Sequence, residues 1–265
     1  MLEAHFQKLV AAMFAVFALA VSAPGVALAQ TAPVTGAIAA RVSAPSAPSF
    51  ERGYQRLRGK TSAALYVPES YSPEKPAPFA LLLHGAGGKG DDMLRRFRAE
   101  ADARGIILLA PDSAARSWDI AMSFERQGPR AETPEFGADV ARIDDALAQV
   151  FSHYAVDAAR VAIIGFSDGA GYSLSLGARN SSLFRNIIAI SPGMLVPGPT
   201  EAPSRVFIAH GRKDRVIPFD LSEKGFGPAL RQAGFEVEFV PFDGGHELTP
   251  AIISRALDWF LKPAN

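Results

Sequence analysis

The stretch Val161-Ala-Ile-Ile-Gly165-Phe-Ser167-Asp-Gly169 constrains the fold more tightly than any other part of the chain. An apolar run passes through G-x-S-x-G directly into a helical pattern. Glycine on both sides of the serine allows a turn so sharp that larger side chains there would collide with the neighbouring strand and helix. Such a turn lifts the serine hydroxyl above a sheet edge. It also sets the next backbone N–H at a helix N-terminus, where developing negative charge is favoured. The plainer reading, Ser167 as a helix N-cap alone, leaves both glycines unexplained.

The flanking sequence repeats the same alternation. Strands are predicted at Ala63–Val67, Phe79–His84, Ile106–Ala110, Val161–Gly165, Ile187–Ile190, Arg205–His210 and Val237–Pro241. Most are apolar on both faces, as strands of a sheet covered on both sides must be. Helices are predicted at Asp91–Arg104, Gly137–His153, Asp168–Ala178, Asp220–Ala233 and Thr249–Leu261, the last with Ile252, Ile253, Ala256, Leu257 and Phe260 along one face. Strands alternating with helices give an α/β fold with a mainly parallel sheet and helices on its flanks. Ligands then bind beyond the carboxyl ends of the strands.

A serine hydroxyl needs a base to take its proton. Of five histidines, His5 lies in the N-terminal apolar region, His153 ends a predicted surface helix, and His84 and His210 each finish a strand. His246, in Asp243-Gly-Gly-His246-Glu, occupies a flexible turn between the last strand and the last helix, so it is the expected base. Asp214, following a strand in His210-Gly-Arg-Lys-Asp214, is the expected carboxylate that orients the imidazole. Asp243 is too near His246 and is expected to shape the turn. Asp168 adjoins the nucleophile and faces away. The glycine-rich turn of Leu83-His84-Gly85-Ala86-Gly87-Gly88 should provide one oxyanion N–H, at Ala86, and Asp168 the second. No G-x-x-x-x-G-K-[ST] accompanies those glycines, so phosphate binding is not expected.

These segments resemble the α/β-hydrolase superfamily. Within it they are similar to small carboxylesterases of the phospholipase/carboxylesterase and dienelactone-hydrolase-like group, with neighbours among polyhydroxybutyrate-depolymerase-like and feruloyl-esterase-like secreted enzymes. The resemblance runs from about Phe79 to Leu261, through LLLHGAGG, IIGFSDGAGYSLSLG, ISPG, VFIAHGRKDRVIP and FDGGHE in that order. It implies the α/β-hydrolase fold, the Ser, Asp, His chain order and hydrolysis of carboxylic esters without a cofactor. A same-fold acyltransferase or peptidase, and an inactive exported binding protein, are the alternatives.

Between Ile190 and Arg205 the sequence SPGMLVPGPTEAPS is too short and proline-rich for a helical lid, so an open site without a large cap domain is expected. That suits small-molecule or polymeric esters. Trp118, in the longer segment from Pro111 to Phe136, could form a pocket wall, with Met194 and Val216 on the rim; the alternative is that the aromatics of that segment merely pack it down.

Lys plus Arg and Asp plus Glu are both 27, so no basic excess is present to neutralise nucleic-acid phosphates. The chain has no cysteine, which excludes disulfides, thiolate metal sites and a lipid-bearing cysteine; no metal ligand set is expected. Residues 1–29 read as a secretory signal peptide, with an apolar run Leu9–Val21 and small residues at Ala27-Leu28-Ala29 before cleavage. The run, about 13 residues, falls short of the roughly 20 that span a bilayer. An uncleaved anchor is the alternative; after cleavage no stable membrane span remains. Residues 30–49, rich in Ala, Pro, Ser and Thr, are expected to form a flexible leader, with the folded domain over 50–265. The sequence places the protein in the periplasm or outside the cell and leaves its oligomeric state open.

Overall fold

A computed structural model describes residues 36–49, 51–57, 62–127, 135–200 and 204–263. The elements follow in the order β1 (Gly53–Leu57), β2 (Ala63–Val67), β3 (Ala77–Leu83), α1 (Gly90–Asp102), β4 (Ile107–Pro111), α2 (Asp119–Gln127), α3 (Ala138–His153), β5 (Val156–Phe166), α4 (Asp168–Arg179), β6 (Asn186–Ile190), β7 (Arg205–Gly211), a π-helical turn (Leu221–Phe226) continuing into α5 (Gly227–Gln232), β8 (Glu236–Phe242) and α6 (Pro250–Leu261). The strands form one sheet in the order β1-β2-β4-β3-β5-β6-β7-β8. β1 and β2 pair antiparallel, as do β2 and β4, and every later pair is parallel.

Each predicted strand is present. The central ones are buried along their whole length because helices cover both faces, which is why they read as continuous apolar runs. On one face, Ala80, Leu82, Ile164, Ile188 and Phe207 pack against Met93, Leu94 and Phe97 of α1 and Ile253, Leu257 and Phe260 of α6. On the other, α4 comes so close that a Cβ at Gly177 would lie 2.8 Å from Ile163 and 2.9 Å from Ile187. Small residues along α4 are therefore a packing requirement, since the helix is buried on nearly every side.

Three elements differ from the sequence reading. β1 was not expected: GYQRL lacks an apolar run, and only alternate residues are half-buried at this sheet edge. Arg56 of β1 pairs with Asp112 at 3.0 Å and also with Asp91, which holds the edge to the sheet's carboxyl end. α2 lies within the segment from Pro111 to Phe136, where the sequence predicts no helix. The helix predicted over Asp220–Ala233 begins instead with the π-helical turn.

The largest correction concerns the leader. The boundary at Phe50 and residues 1–29 lie outside the described residues, but residues 36–49 lie against the domain. Ile38 is buried, its N–H donating to Asn180 Oδ1 at 2.8 Å. Asn180 Nδ2 donates to the Gly36 carbonyl at 2.8 Å. Asp144 Oδ1 accepts from Ala39 and Ala40, and the N–H groups of Ala47 and Ser49 reach the carbonyls of Ser152 and His153 at the end of α3. Backbone hydrogen bonds hold this strap, so its low hydrophobicity gave no sign of order. Among the described residues no helix is long and apolar enough to cross a membrane.

Asn180 is buried and bonds two strap residues at once. Replacing it with alanine strands the Ile38 N–H and the Gly36 carbonyl. Asn180→Ala is expected to lower the unfolding free energy by about 2–3 kcal/mol in urea denaturation and to speed tryptic cleavage after Arg41.

Candidate active site

Parallel strands β3 and β5 end side by side, with Leu83 opposite Gly165. Beyond that pair the chain turns through Ser167, whose φ of 57° and ψ of −122° are unusual for a residue with a side chain. The conformation is held by its neighbours: Ser167 N–H donates to Ile190 O at 3.0 Å, and Ser167 O accepts from Ala170 N at 2.9 Å. A Cβ at Gly165 would lie 2.0 Å from Gly169 O, and one at Gly169 would lie 2.2 Å from Leu83 O. Both flanking glycines are thus required by backbone-to-backbone approach.

The structure brings Ser167, His246 and Asp214 into one chain of hydrogen bonds. Asp214 Oδ2 can only accept, so His246 Nδ1 carries the proton, at 2.7 Å. His246 Nε2 then accepts from Ser167 Oγ at 2.9 Å. Asp243 instead pairs with Lys213 at 2.7 Å, and the Asp168 carboxylate turns away to Ser117. The histidine loop is locked to the turn after β7: Lys213 N–H donates to Gly244 O, and a Cβ at Gly211 would lie 2.3 Å from Gly245 O. The Phe166 ring stacks on the imidazole, with centroids 4.9 Å apart.

The Asp214 side chain is wholly buried. Burial pushes its carboxyl up, but the N–H of Ile217, the His246 imidazole and the N–H of Val216 outweigh that and hold it below the usual carboxylate range. His210 lies 3.3 Å from the same Asp214 oxygen. Burial lowers its pKa and keeps it neutral. Its Nε2–H donates to Ile217 O at 3.1 Å, while Nδ1 accepts from buried Ser222 at 2.7 Å. His210 read in the sequence as a strand-end residue; its spacing of four residues before Asp214 was the available signal.

On the β3 side, Ala86 sits in an exposed turn closed by Gly88 N–H to Gly85 O at 3.0 Å, and by Gly87 N–H to Arg116 O at 2.7 Å. Among the described residues, neither the Ala86 N–H nor the Asp168 N–H donates a hydrogen bond. His84 is buried, donating from Nδ1 to Gly85 O and accepting at Nε2 from Ser113 N–H.

Trp118 requires a correction. It is 1% exposed, donates from Nε1 to His84 O at 2.7 Å, and packs between His84 and Tyr172. It supports the turn from beneath and cannot line a pocket. Met194 is half-buried over α4, where a Cβ at Gly171 would meet its side chain at 2.3 Å. Val216 is 69% exposed beside Asp214. Residues 191–200 form no helix.

A strand-to-helix elbow of this kind, facing a hydrogen-bonded histidine and carboxylate at the carboxyl ends of the strands, defines an α/β-hydrolase. The chain belongs to the phospholipase/carboxylesterase family, whose model it matches over residues 68–262, and it is a carboxylic ester hydrolase. Feruloyl esterase C of Emericella nidulans is 27% identical over 244 residues, covering 79% of this chain and 84% of that protein. Among solved structures, esterase PE8 has a TM-score of 0.59 at 20% identity, covering 77% of this chain and 100% of that one. The carboxylesterase of Bacillus cereus has a TM-score of 0.57 at 20% identity, covering 76% and 93%.

Behind the turn, Asp139 accepts from Ala114 N–H at 2.6 Å and Asp119 N–H at 2.9 Å. Burial foremost, with nearby Asp119, pushes the Asp139 carboxyl up to about 6 from an ordinary 3.8. The folded protein therefore keeps a proton that the unfolded chain has released between about pH 4 and pH 6. Stability from this group is full below pH 4 and is lost as pH rises through 6. Relative to Asp139→Asn, the wild type is expected to lose about 3 kcal/mol of unfolding free energy between pH 4 and pH 7, followed by urea denaturation at each pH.

Proposed function

We propose that the protein is a serine carboxylesterase working through an acyl-enzyme on Ser167. The observation that carries this reading is the hydrogen-bonded chain from Ser167 Oγ through His246 to ionised Asp214, at 2.9 and 2.7 Å. Ser167 Oγ attacks the ester carbonyl carbon as His246 Nε2 takes its proton. Negative charge gathers on the carbonyl oxygen, which receives hydrogen bonds from the N–H groups of Ala86 and Asp168. Asp214 stabilises the imidazolium and holds its tautomer. The C–O bond to the alcohol breaks, His246 gives that alcohol its proton, and the acyl group remains on Ser167. Water then attacks with His246 again as base, releasing the acid and restoring the serine hydroxyl.

The open rim near Val216 and Met194 suits acyl groups on accessible or polymeric esters. The relationship to feruloyl esterase C makes aryl-acrylate esters the first class to try. Export rests on the sequence of residues 1–29 alone. Protein recovered outside the cytoplasm is expected to begin at Gln30, read by mass spectrometry of the intact chain.

The deciding experiment compares mature wild type with Ser167→Ala on p-nitrophenyl esters from acetate to palmitate and on methyl ferulate. Activity on short or aryl-acrylate chains is expected, falling by about 10⁴-fold or more in the variant. It should decline toward acid pH, because protonated His246 cannot accept the serine proton. Activity on long chains only would contradict the open site. Folded wild type that hydrolyses no ester and leaves a fluorophosphonate probe unreacted would overturn the esterase reading in favour of a binding protein.

A further inference from the structure

The two N–H groups assigned to the oxyanion belong to different elements. Ala86 follows β3, and Asp168 opens α4 after β5. The β3–β5 ladder ends at Leu83 and Gly165, so no sheet hydrogen bond fixes the distance between them. Residues 113–118, between β4 and α2, span that gap. Ser113 N–H donates to His84 Nε2 at 3.1 Å, Arg116 O accepts from Gly87 N–H at 2.7 Å, and Trp118 Nε1 donates to His84 O at 2.7 Å. These three bonds hold both flanks of Ala86.

The residue of the other donor is packed by backbone through Gly169 against Leu83 and His84, and this segment adds one side-chain bond to it. Ser117 is fully buried, and its hydroxyl donates to Asp168 Oδ2 at 2.6 Å. Among the described residues this is the one hydrogen bond to the Asp168 carboxylate. The segment has its own fixed footing, because Asp139 accepts the N–H groups of Ala114 and Asp119, which lie on either side of Ser117. Resting on the esterase reading above, we propose that Ser117 is a positioning residue for the oxyanion hole. Its hydroxyl ties the start of α4 to the segment that holds the Ala86 turn. It also keeps the Asp168 carboxylate facing away from the reacting carbonyl, where a stray negative charge would oppose the oxyanion.

Removal of one oxyanion donor costs about 10²–10³ in rate elsewhere; displacement of one should cost part of that. The test measures kcat and KM on p-nitrophenyl acetate, and inhibition by an aryl trifluoromethyl ketone, whose serine adduct carries an oxyanion. Wild type is compared with Ser117→Ala, Asp168→Ala and the double variant. Ser117→Ala is expected to lose about tenfold in kcat with KM within about twofold, and to bind the ketone correspondingly more weakly. The losses of the two single variants should not add in the double variant, because both break one hydrogen bond. A merely structural serine would lower Tm while leaving kcat and ketone affinity at the wild-type level, and that result overturns the proposal. So do additive losses, or a loss confined to KM. Wild type inactive toward esters would instead sink the esterase reading itself.

Discussion

The site depends on one backbone contact, the approach of the start of α4 to the end of β3. With glycine at position 169, the backbone passes so close that any Cβ would sit 2.2 Å from Leu83 O and 2.5 Å from His84 O. This contact joins two parallel strand ends into a single surface. It sets Ser167 beside Gly85, where an added Cβ would lie 3.1 Å from the serine Cβ. The strained backbone at Ser167 follows from it, because the chain must reverse within a residue of that contact. The surrounding fold over-determines the strain: β6 supplies the acceptor for the Ser167 N–H, and the first turn of α4 uses its carbonyl twice.

Two buried carboxyl groups near the site illustrate how partners decide charge. Asp214 and Asp139 each accept two backbone N–H groups and are both withdrawn from water. Asp214 also faces an imidazole that can become cationic, and its carboxyl lies below the ordinary range. Asp139 lies beside half-buried Asp119, and its carboxyl is raised to about 6. Desolvation raises both; at Asp214 the N–H of Ile217, the His246 imidazole and the N–H of Val216 outweigh it, whereas at Asp139 nearby Asp119 adds to it. The group held low bonds the His246 imidazole, and the group with raised pKa accepts the N–H groups of Ala114 and Asp119.

The segment between β4 and α3 has a different role from the one its aromatic residues suggested. Trp118 stands beneath the Ala86 turn, joined on one side to His84 and on the other to Tyr172 of α4. The region supports the Ala86 turn, whereas Val216 is exposed and Met194 half-buried.

Much of this was legible in the residues alone. The G-x-S-x-G elbow, the apolar two-faced strands and the order Ser167, Asp214, His246 are local patterns, and local sterics dictate them. Side-chain direction and backbone hydrogen bonding across long sequence separations are not local. The docking of residues 36–49 depends on Asn180 and Asp144, more than a hundred residues away, and composition could not reveal it. The same holds for Trp118, whose burial is set by His84 O, 34 residues earlier, and for Ser117, whose partner lies 51 residues ahead. Sequence determined the strand–helix alternation and the chemistry at each turn, because period and glycine placement act within a few residues. Only the tertiary structure decided which polar groups meet, because those meetings come from strand order and helix packing that bring distant segments within 3 Å.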